Sequence, residues 1–216
     1  MKRSSLFSRL LHIRYTHLEG GASYALERVS RTLYIYFEGS NGDLDWKNNL
    51  DFPVKPYKRM GNTVWHAHRG FLRVWKSVRD VIAPYLLDPA IDRAVTVGYS
   101  HGGALAAFCH EHLWFCRPDL RERIEGYGFG APRVYFGCMP REVALRWARF
   151  EVVRNTDDIV THLPPTWMLY RHVGQLLVIG EKGRYGKIDA HRAENILASL
   201  REYEQKTKNS EKMRFF

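Results

Sequence analysis

Hydrophobic residues along the chain fall into two patterns, short continuous runs and positions at helical spacing. The run at 32–37 is rich in β-branched and aromatic residues and ends in Glu38-Gly39-Ser40, which predicts a buried strand entering a turn. Apolar residues at helical spacing over 71–86 predict an amphipathic helix packed against the core. The same patterns predict further elements along the chain: strands at 92–98, 124–129, 150–154 and 172–179, and helices from 103 onward, at 140–149 and at 189–204.

The order of these elements predicts an α/β fold. Strands that alternate with helices form a mostly parallel central sheet that carries helices on both faces. A chain of 216 residues fits a single domain, here 1–216. Segment 205–216 follows the last predicted helix and is polar and basic, so we expect it to be a frayed tail.

Composition and charge narrow the class of protein. Hydrophobic residues make up 45% of the chain and charged residues 26%, which is typical of a globular domain. Lys and Arg outnumber Asp and Glu by 33 to 23, which gives a net charge of +10 and raises nucleic acid or an anionic surface as a partner. Because no nucleic-acid fold signature accompanies this charge, we do not expect nucleic-acid binding. A solvated basic surface is the default interpretation of the charge, and peripheral contact with an anionic membrane is the alternative hypothesis.

The amino-terminal segment and the cysteines bear on localisation. The chain begins basic, but Arg9, His12 and Arg14 interrupt the apolar run that a signal peptide needs, and no window holds the roughly 18 apolar residues of a transmembrane helix. The three cysteines are too few and too irregularly spaced for a disulfide framework or a zinc site. We therefore expect a cytoplasmic protein with reduced thiols.

A G-x-S-x-G motif, Gly98-Tyr99-Ser100-His101-Gly102, lies between a predicted strand and a predicted helix. The glycines allow the chain to turn sharply while the serine is held in a strained backbone conformation. The apolar strand before the serine and the small-residue helix after it are the context that a nucleophile elbow requires. Ser100 is therefore the candidate nucleophile, and an ordinary turn with a buried serine is the alternative.

A serine hydroxyl needs a general base, and the base needs an acid that orients it. In chains with this motif the acid and the histidine follow the serine in that order. Asp157 and Asp158 end one later strand, and His191 follows the last predicted strand. His172, at the start of that strand, is the alternative base.

Motifs spread over about 32–195 resemble the fungal-type class 3 lipases of the α/β-hydrolase superfamily. In chain order they are FEGS at 37–40 with DW at 45–46 and NL at 49–50, HRGF at 68–71, GYSHGGALA at 98–106, FGAPRV at 129–134 and NTDDIVTHLPP at 155–165. The resemblance implies an α/β-hydrolase fold. It also implies a lipase or carboxylesterase that cleaves acyl esters of lipids through a Ser-His-Asp triad and an acyl-enzyme, with no cofactor and no metal ion.

The resemblance also implies roles for individual residues. Ser100 matches the nucleophile, His191 the general base, and Asp158 the acid that fixes the imidazole tautomer. Asp158 is preferred to Asp157 because the register of 160–165 fits the family motif only in that alignment.

The oxyanion hole and a lid are implied in the same way. Ser40 occupies the position of the family's oxyanion residue, and the backbone N–H of His101 would be the second donor. Segment 41–57 is the candidate lid, with a core-packed loop as the alternative. Glu38 and Thr161 depart from the family's usual Arg and Pro.

Two other functions stay open. The net charge of +10 favours a phospholipase acting on anionic lipids. A catalytically silent lipase-fold protein that binds an anionic surface is the second alternative. We expect Tyr99, beside the nucleophile, to help shape an apolar acyl site. His66 and His68 lack a third metal ligand nearby in the sequence, so we interpret them as hydrogen-bonded core histidines.

Overall fold

The structure of the protein is a computed structural model that describes residues 2–39, 53–59 and 62–213. The candidate oxyanion residue Ser40 and residues 41–52 of the candidate lid lie outside the described residues. Residues 54–57 belong to a strand, and the Tyr57 side chain is buried in the core, so the predicted lid does not extend to this end of its range.

The described chain forms helices and strands in alternation. The helices are α1 Arg3–His12, α2 Arg69–Leu86, α3 His101–Cys116, α4 Arg141–Ala144 and α5 Ala193–Met213. The strands are β1 Thr16–His17, β2 Ser23–Val29, β3 Thr32–Phe37, β4 Val54–Arg59, β5 Asn62–His68, β6 Arg93–Tyr99, β7 Ile124–Phe129, β8 Tyr135–Phe136, β9 Phe150–Asn155, β10 Tyr170–Arg171 and β11 Gln175–Ile179. Short 3-10 helices cover Pro118–Arg123, Leu145–Trp147, Val160–His162, Thr166–Met168 and Asp189–His191.

The central sheet has the order β1-β2-β3-β6-β7-β9-β11. Its strands from β3 to β11 pair in parallel, and β1, β2 and β3 pair antiparallel. A smaller antiparallel sheet has the order β10-β8-β5-β4. The predicted α/β class with a mostly parallel sheet is confirmed.

Both faces of the central sheet are covered. Neighbouring residues of β3 point to opposite sides, so Phe37 packs in the cluster with α2 and α3, whereas Tyr36 packs in the cluster with α1 and α5. Each fully buried Leu or Phe in these layers contributes about 1.5–3 kcal/mol to the free energy of unfolding. The two layers hold the strands in register, and thereby position the loops at the strand ends.

Some predicted boundaries are wrong, for identifiable reasons. The predicted strand at 172–179 is interrupted by Gly174, whose φ is +72° and whose position would bring a Cβ to 2.1 Å from the Phe150 carbonyl oxygen. The predicted helix at 140–149 starts as α4 and tightens into a 3-10 turn. Helix α5 extends to Met213, beyond the predicted end at 204, because no Gly or Pro stops it. Fraying of 205–216 in solution stays a prediction.

Over the described ranges, no helix combines the length and the apolar character required to cross a membrane.

Candidate active site

Ser100 lies at the turn between β6 and α3 in a strained backbone conformation. Its φ is +53° and its ψ is −123°, a region that side-chain-bearing residues rarely occupy and that costs on the order of 1–3 kcal/mol. Its N–H donates to the Phe129 carbonyl at 2.8 Å, and its carbonyl accepts from the Gly103 N–H at 2.9 Å. A serine whose strained backbone conformation is held by hydrogen bonds of its own N–H and carbonyl is expected in a nucleophile elbow.

The flanking glycines are required by close backbone contacts. A Cβ on Gly98 would lie 2.0 Å from the Gly102 carbonyl oxygen, and a Cβ on Gly102 would lie 2.2 Å from the Phe37 carbonyl oxygen. Distances this short cannot be relieved by a side-chain rotation, because the obstructing atoms are backbone. Glycine at both positions therefore lets β3, β6 and α3 meet at Ser100.

The structure brings Ser100, His191 and Asp158 together in one hydrogen-bonded chain. Ser100 Oγ lies 2.8 Å from His191 Nε2, and His191 Nδ1 lies 2.9 Å from Asp158 Oδ2. Because a carboxylate only accepts hydrogen bonds, the Nδ1 position carries the imidazole proton and Nε2 is left to accept from the serine hydroxyl. This arrangement can remove a proton from Ser100 as the hydroxyl attacks an electrophile.

Parallel topology explains how distant residues meet at this edge. Ser100 follows β6, Asp158 follows β9, and His191 lies after β11. The carboxyl ends of parallel strands lie on one edge of a sheet, where open α/β sheets bind their ligands. The loop after β11, which carries His191, is held at this edge by a hydrogen bond: Asn155 Nδ2, at the end of β9, donates to the Ala190 carbonyl at 3.0 Å.

Asp158 is fully buried and held by the chain around it. Its Oδ1 accepts from the Val160 N–H at 2.9 Å, and its carbonyl accepts from the Thr161 hydroxyl at 2.8 Å. Thr161 thus makes a side-chain hydrogen bond at a position where the family usually has Pro. Arg133, in the segment after β7, donates to the His162 and Pro164 carbonyls and holds the far end of the same loop.

The alternative acid and base make other contacts. The Asp157 carboxylate accepts from the Gly183 N–H at 2.6 Å. The His172 Nε2 donates to the Thr161 carbonyl at 2.8 Å. Each side chain therefore stabilises a loop, and neither belongs to the chain that runs from Ser100.

The remaining predicted residues are placed as follows. His101 is the first residue of α3, so its backbone N–H lies at the positive end of that helix, next to Ser100. His68 is buried and its Nδ1 accepts from the Phe71 N–H at the start of α2, whereas His66 is exposed. The interpretation as a core histidine is therefore wrong for His66, which lies on the solvent side of β5.

Sequence reasoning missed some contacts of this site. Gly130 adopts a φ of +58° and lies directly beneath His191 and Asp158, a role that its place in the FGAPRV motif could have suggested. Asn155 opens the motif that contains Asp158, but no local signal shows that it reaches the loop of His191. Tyr99 contacts His191 through both its ring and its hydroxyl, instead of only facing a substrate.

Two histidines near these elements, buried His110 and half-buried His172, give a pH dependence to the free energy of unfolding. Burial lowers the pKa of His110 and of His172 from 6.5 to about 4. The unfolded chain takes up these protons near pH 6.5 and the folded chain only near pH 4. We therefore expect the free energy of unfolding to fall as pH drops through this window, by at most about 1.4 kcal/mol per pH unit for each histidine.

Urea unfolding followed from neutral pH down to about pH 4.5 measures this slope. His172→Gln, which keeps a donor for the Thr161 carbonyl, should have a shallower slope than the wild type. His12→Gln, at an exposed position, is the matched control and should keep the wild-type slope. Equal slopes for His172→Gln and the wild type would contradict the assignment.

Comparisons with known proteins identify the family of this chain. The family model described as Lipase (class 3) matches residues 34–168. A lipase of Rhizomucor miehei is 32% identical over 158 residues, which cover 67% of this chain and 41% of that protein. The secreted mono- and diacylglycerol lipase 1 of Fusarium solani is 29% identical over 157 residues, which cover 70% of this chain and 45% of that protein. The chain thus spans less than half the length of these two curated relatives.

Solved structures give the same result for the fold. The triacylglyceride lipase of Rhizomucor miehei superposes with a TM-score of 0.67 at 26% identity, over 78% of this chain and 66% of that chain. The lipase of Rhizopus microsporus var. chinensis superposes with a TM-score of 0.67 at 22% identity, over 87% of this chain and 71% of that chain. Because the family pattern matches well over half of the sequence, this chain belongs to the class 3 lipase family.

Proposed function

We propose that the protein is a serine ester hydrolase of the lipase or carboxylesterase type that cleaves acyl esters of lipids. The observation that carries the proposal is the unbroken hydrogen-bonded chain from Ser100 through His191 to buried Asp158. Membership of the class 3 lipase family supports acyl esters as the substrate class. Ser100 is the nucleophile, His191 the general base and Asp158 the acid that orients the base.

The reaction proceeds in two acyl-transfer steps. Ser100 Oγ attacks the ester carbonyl carbon while its proton passes to His191 Nε2, and a tetrahedral oxyanion forms. The intermediate collapses when the bond to the alcohol oxygen breaks and His191 returns the proton to that oxygen. Water then attacks the acyl-enzyme, loses its proton to His191, and the acid leaves as Ser100 regains its proton.

Electrostatic stabilisation of the oxyanion comes from the start of α3. The His101 N–H lies at the positive end of the helix dipole, next to the attacking oxygen. Ser40 is the proposed second donor. Removal of one oxyanion donor typically costs about 100-fold to 1,000-fold in kcat, so these groups supply a large share of the rate.

Hydrolysis of p-nitrophenyl butyrate, combined with fluorophosphonate labelling, tests the proposal. Turnover of the ester and covalent labelling of Ser100, located by mass spectrometry of the labelled peptide, support it. A folded protein that neither hydrolyses the ester nor reacts with the probe at Ser100 would instead be a catalytically silent binding protein.

The charge of the lipid substrate separates a general lipase from a phospholipase on anionic lipids. The net charge of +10 favours recruitment to an anionic interface. Rates on vesicles of anionic phospholipid that fall with added salt, with low rates on neutral vesicles, would support that alternative, because salt screens electrostatic attraction. Equal rates that do not respond to salt would exclude electrostatic recruitment.

Gly130→Ala should lower kcat/KM by about 100-fold, because small misplacements of catalytic groups have effects of that size. A Cβ at this position would lie 2.9 Å from His191 Cε1 and 3.0 Å from Asp158 Oδ2. Gly183→Ala is the matched control, since Gly183 also has a positive φ, +80°, but a Cβ there meets nothing within 4 Å. We expect the control to lose about 1–2 kcal/mol of stability and to keep its activity. Equal activities of the two variants would contradict the role of Gly130.

A further inference from the structure

Tyr99 precedes the proposed nucleophile and contacts the proposed base in two ways. Its hydroxyl donates to the backbone carbonyl of His191 at 2.7 Å. Its ring stacks on the His191 imidazole, with ring centroids 5.2 Å apart and an interplanar angle of 24°. One side chain of β6 therefore holds both the backbone and the ring of a residue that lies 92 positions later in the chain.

The Tyr99 ring is itself fixed from two further directions. Phe7 of α1, which is fully buried, contacts it edge-to-face with ring centroids 5.6 Å apart. Gly39 lies so close that a Cβ there would be 2.9 Å from Tyr99 Cδ1. The ring is thus held between α1, the segment after β3 and His191, which makes it a rigid support.

The hydroxyl of Tyr99 is a stable donor. Burial raises the pKa of the Tyr99 phenol, and the charges of Asp158 and Glu194 raise it further. The phenol therefore stays protonated at neutral and mildly alkaline pH, so its bond to the His191 carbonyl persists wherever the imidazole acts as a base.

We propose that Tyr99 is a positioning residue for His191, with two separable parts. The hydroxyl fixes the backbone of the 3-10 turn Asp189–His191, and the ring face supports the imidazole and stabilises it while it carries both protons. This inference rests on the proposed function, because it assigns His191 the role of general base.

The other charged and polar groups around His191 belong to residues other than Tyr99. Asp158 bonds to Nδ1, Ser100 bonds to Nε2, and the Gly130 backbone lies beneath the ring. The charged groups on the neighbouring segment are exposed and paired with each other: Asp189 with Arg192 at 3.0 Å, and Arg192 with Glu194 at 4.0 Å. A shift in the titration of His191 in a Tyr99 variant therefore reports the loss of the ring.

The test compares Tyr99→Phe with Tyr99→Leu. Tyr99→Phe removes only the hydroxyl, so kcat should fall about threefold to tenfold, as expected for one lost hydrogen bond, and KM should not change. Because the ring is kept, the acid limb of the pH profile should also not change. Tyr99→Leu should lower kcat further and shift the acid limb of kcat/KM down by about half a pH unit, because the imidazolium loses its aromatic support. Tyr34→Phe, at a half-buried tyrosine of β3, is the matched control and should behave as the wild type.

Different results would overturn the inference. If kcat of Tyr99→Leu falls only in proportion to its folded fraction, with the acid limb at the wild-type pH, Tyr99 is a structural residue. If Tyr99→Phe has the kcat and KM of the wild type, the hydroxyl does not help to position His191. Tyr99→Met provides a second ring-free variant if Tyr99→Leu does not fold.

An NMR titration of the His191 ring proton in the wild type and in Tyr99→Leu needs no catalysis. A wild type without hydrolytic activity would contradict the proposed function, whereas the titration would still show whether the Tyr99 ring stabilises the imidazolium. Identical titration midpoints in the two proteins would contradict the inference about Tyr99 alone.

Discussion

Ser100→Ala should lower kcat for p-nitrophenyl butyrate by about 10⁵-fold to 10⁶-fold, the size of effect seen when the nucleophile of a triad is removed. The loss is this large because His191 Nε2, 2.8 Å from the hydroxyl, then has no proton to remove and no acyl-enzyme can form. Residual hydrolysis would come from the oxyanion donors and the binding site alone. Steady-state rates, corrected with an active-site titration, measure the effect.

A second variant separates loss of chemistry from loss of structure. The backbone strain at Ser100, with φ at +53°, remains in Ser100→Ala, whereas glycine relieves it. Ser100→Gly should therefore be equally inactive but more stable than Ser100→Ala, by about 1 kcal/mol in urea unfolding. A Ser100→Ala protein with near wild-type turnover would place the nucleophile at another residue.

Asp158→Asn should lower kcat by about 10⁴-fold while the fold is retained. An amide can donate to His191 Nδ1, which favours the tautomer whose Nε2 carries the proton and can no longer accept one from Ser100. The buried position of Asp158 adds to the loss, because its charge also stabilises the imidazolium formed during attack.

Asp157→Asn is the matched control for this substitution. The two aspartates are neighbours in the chain, but the Asp157 carboxylate contacts the Gly183 N–H instead of an imidazole. Its amide oxygen can still accept that bond, so kcat should stay within about threefold of the wild type. A loss for Asp157→Asn as large as that for Asp158→Asn would contradict the assignment of the acid.

Elements with a strong local pattern of hydrophobic residues could be predicted from the sequence. The predictions at 32–37, 71–86 and 124–129 correspond to β3 Thr32–Phe37, α2 Arg69–Leu86 and β7 Ile124–Phe129. These patterns are reliable because a strand covered on both faces is a continuous apolar run, whereas the residues on the buried face of a helix recur about every 3.6 positions. The glycines of the nucleophile elbow could also be predicted from the sequence, because their role depends on a turn within one short segment.

Helix α1 could not be predicted in this way. Polar and basic residues interrupt its apolar positions, and the helix depends on contacts with distant parts of the chain. Leu6 and Phe7 pack in the cluster that contains α5. The Glu204 carboxylate accepts from the N–H and the hydroxyl of Ser4 and so caps the first turn of α1 from a position 200 residues away. No local pattern contains that information.

By itself, the sequence determined the α/β class, the strained turn at Ser100 and a short set of candidate partners, because each depends on a pattern within one segment or on chain order. The register of 160–165 already favoured Asp158 over Asp157, and the tertiary structure adds the support that only contacts in space can give, because the side chains of Asp158 and His191 form the hydrogen-bonded chain from Ser100. That support depends on which side chain reaches another across 33 or 91 residues of chain. Such contacts follow from the register of the parallel strands and from the hydrogen bonds that anchor the loops after them. Both depend on residues far apart in the chain, so no local segment predicts them.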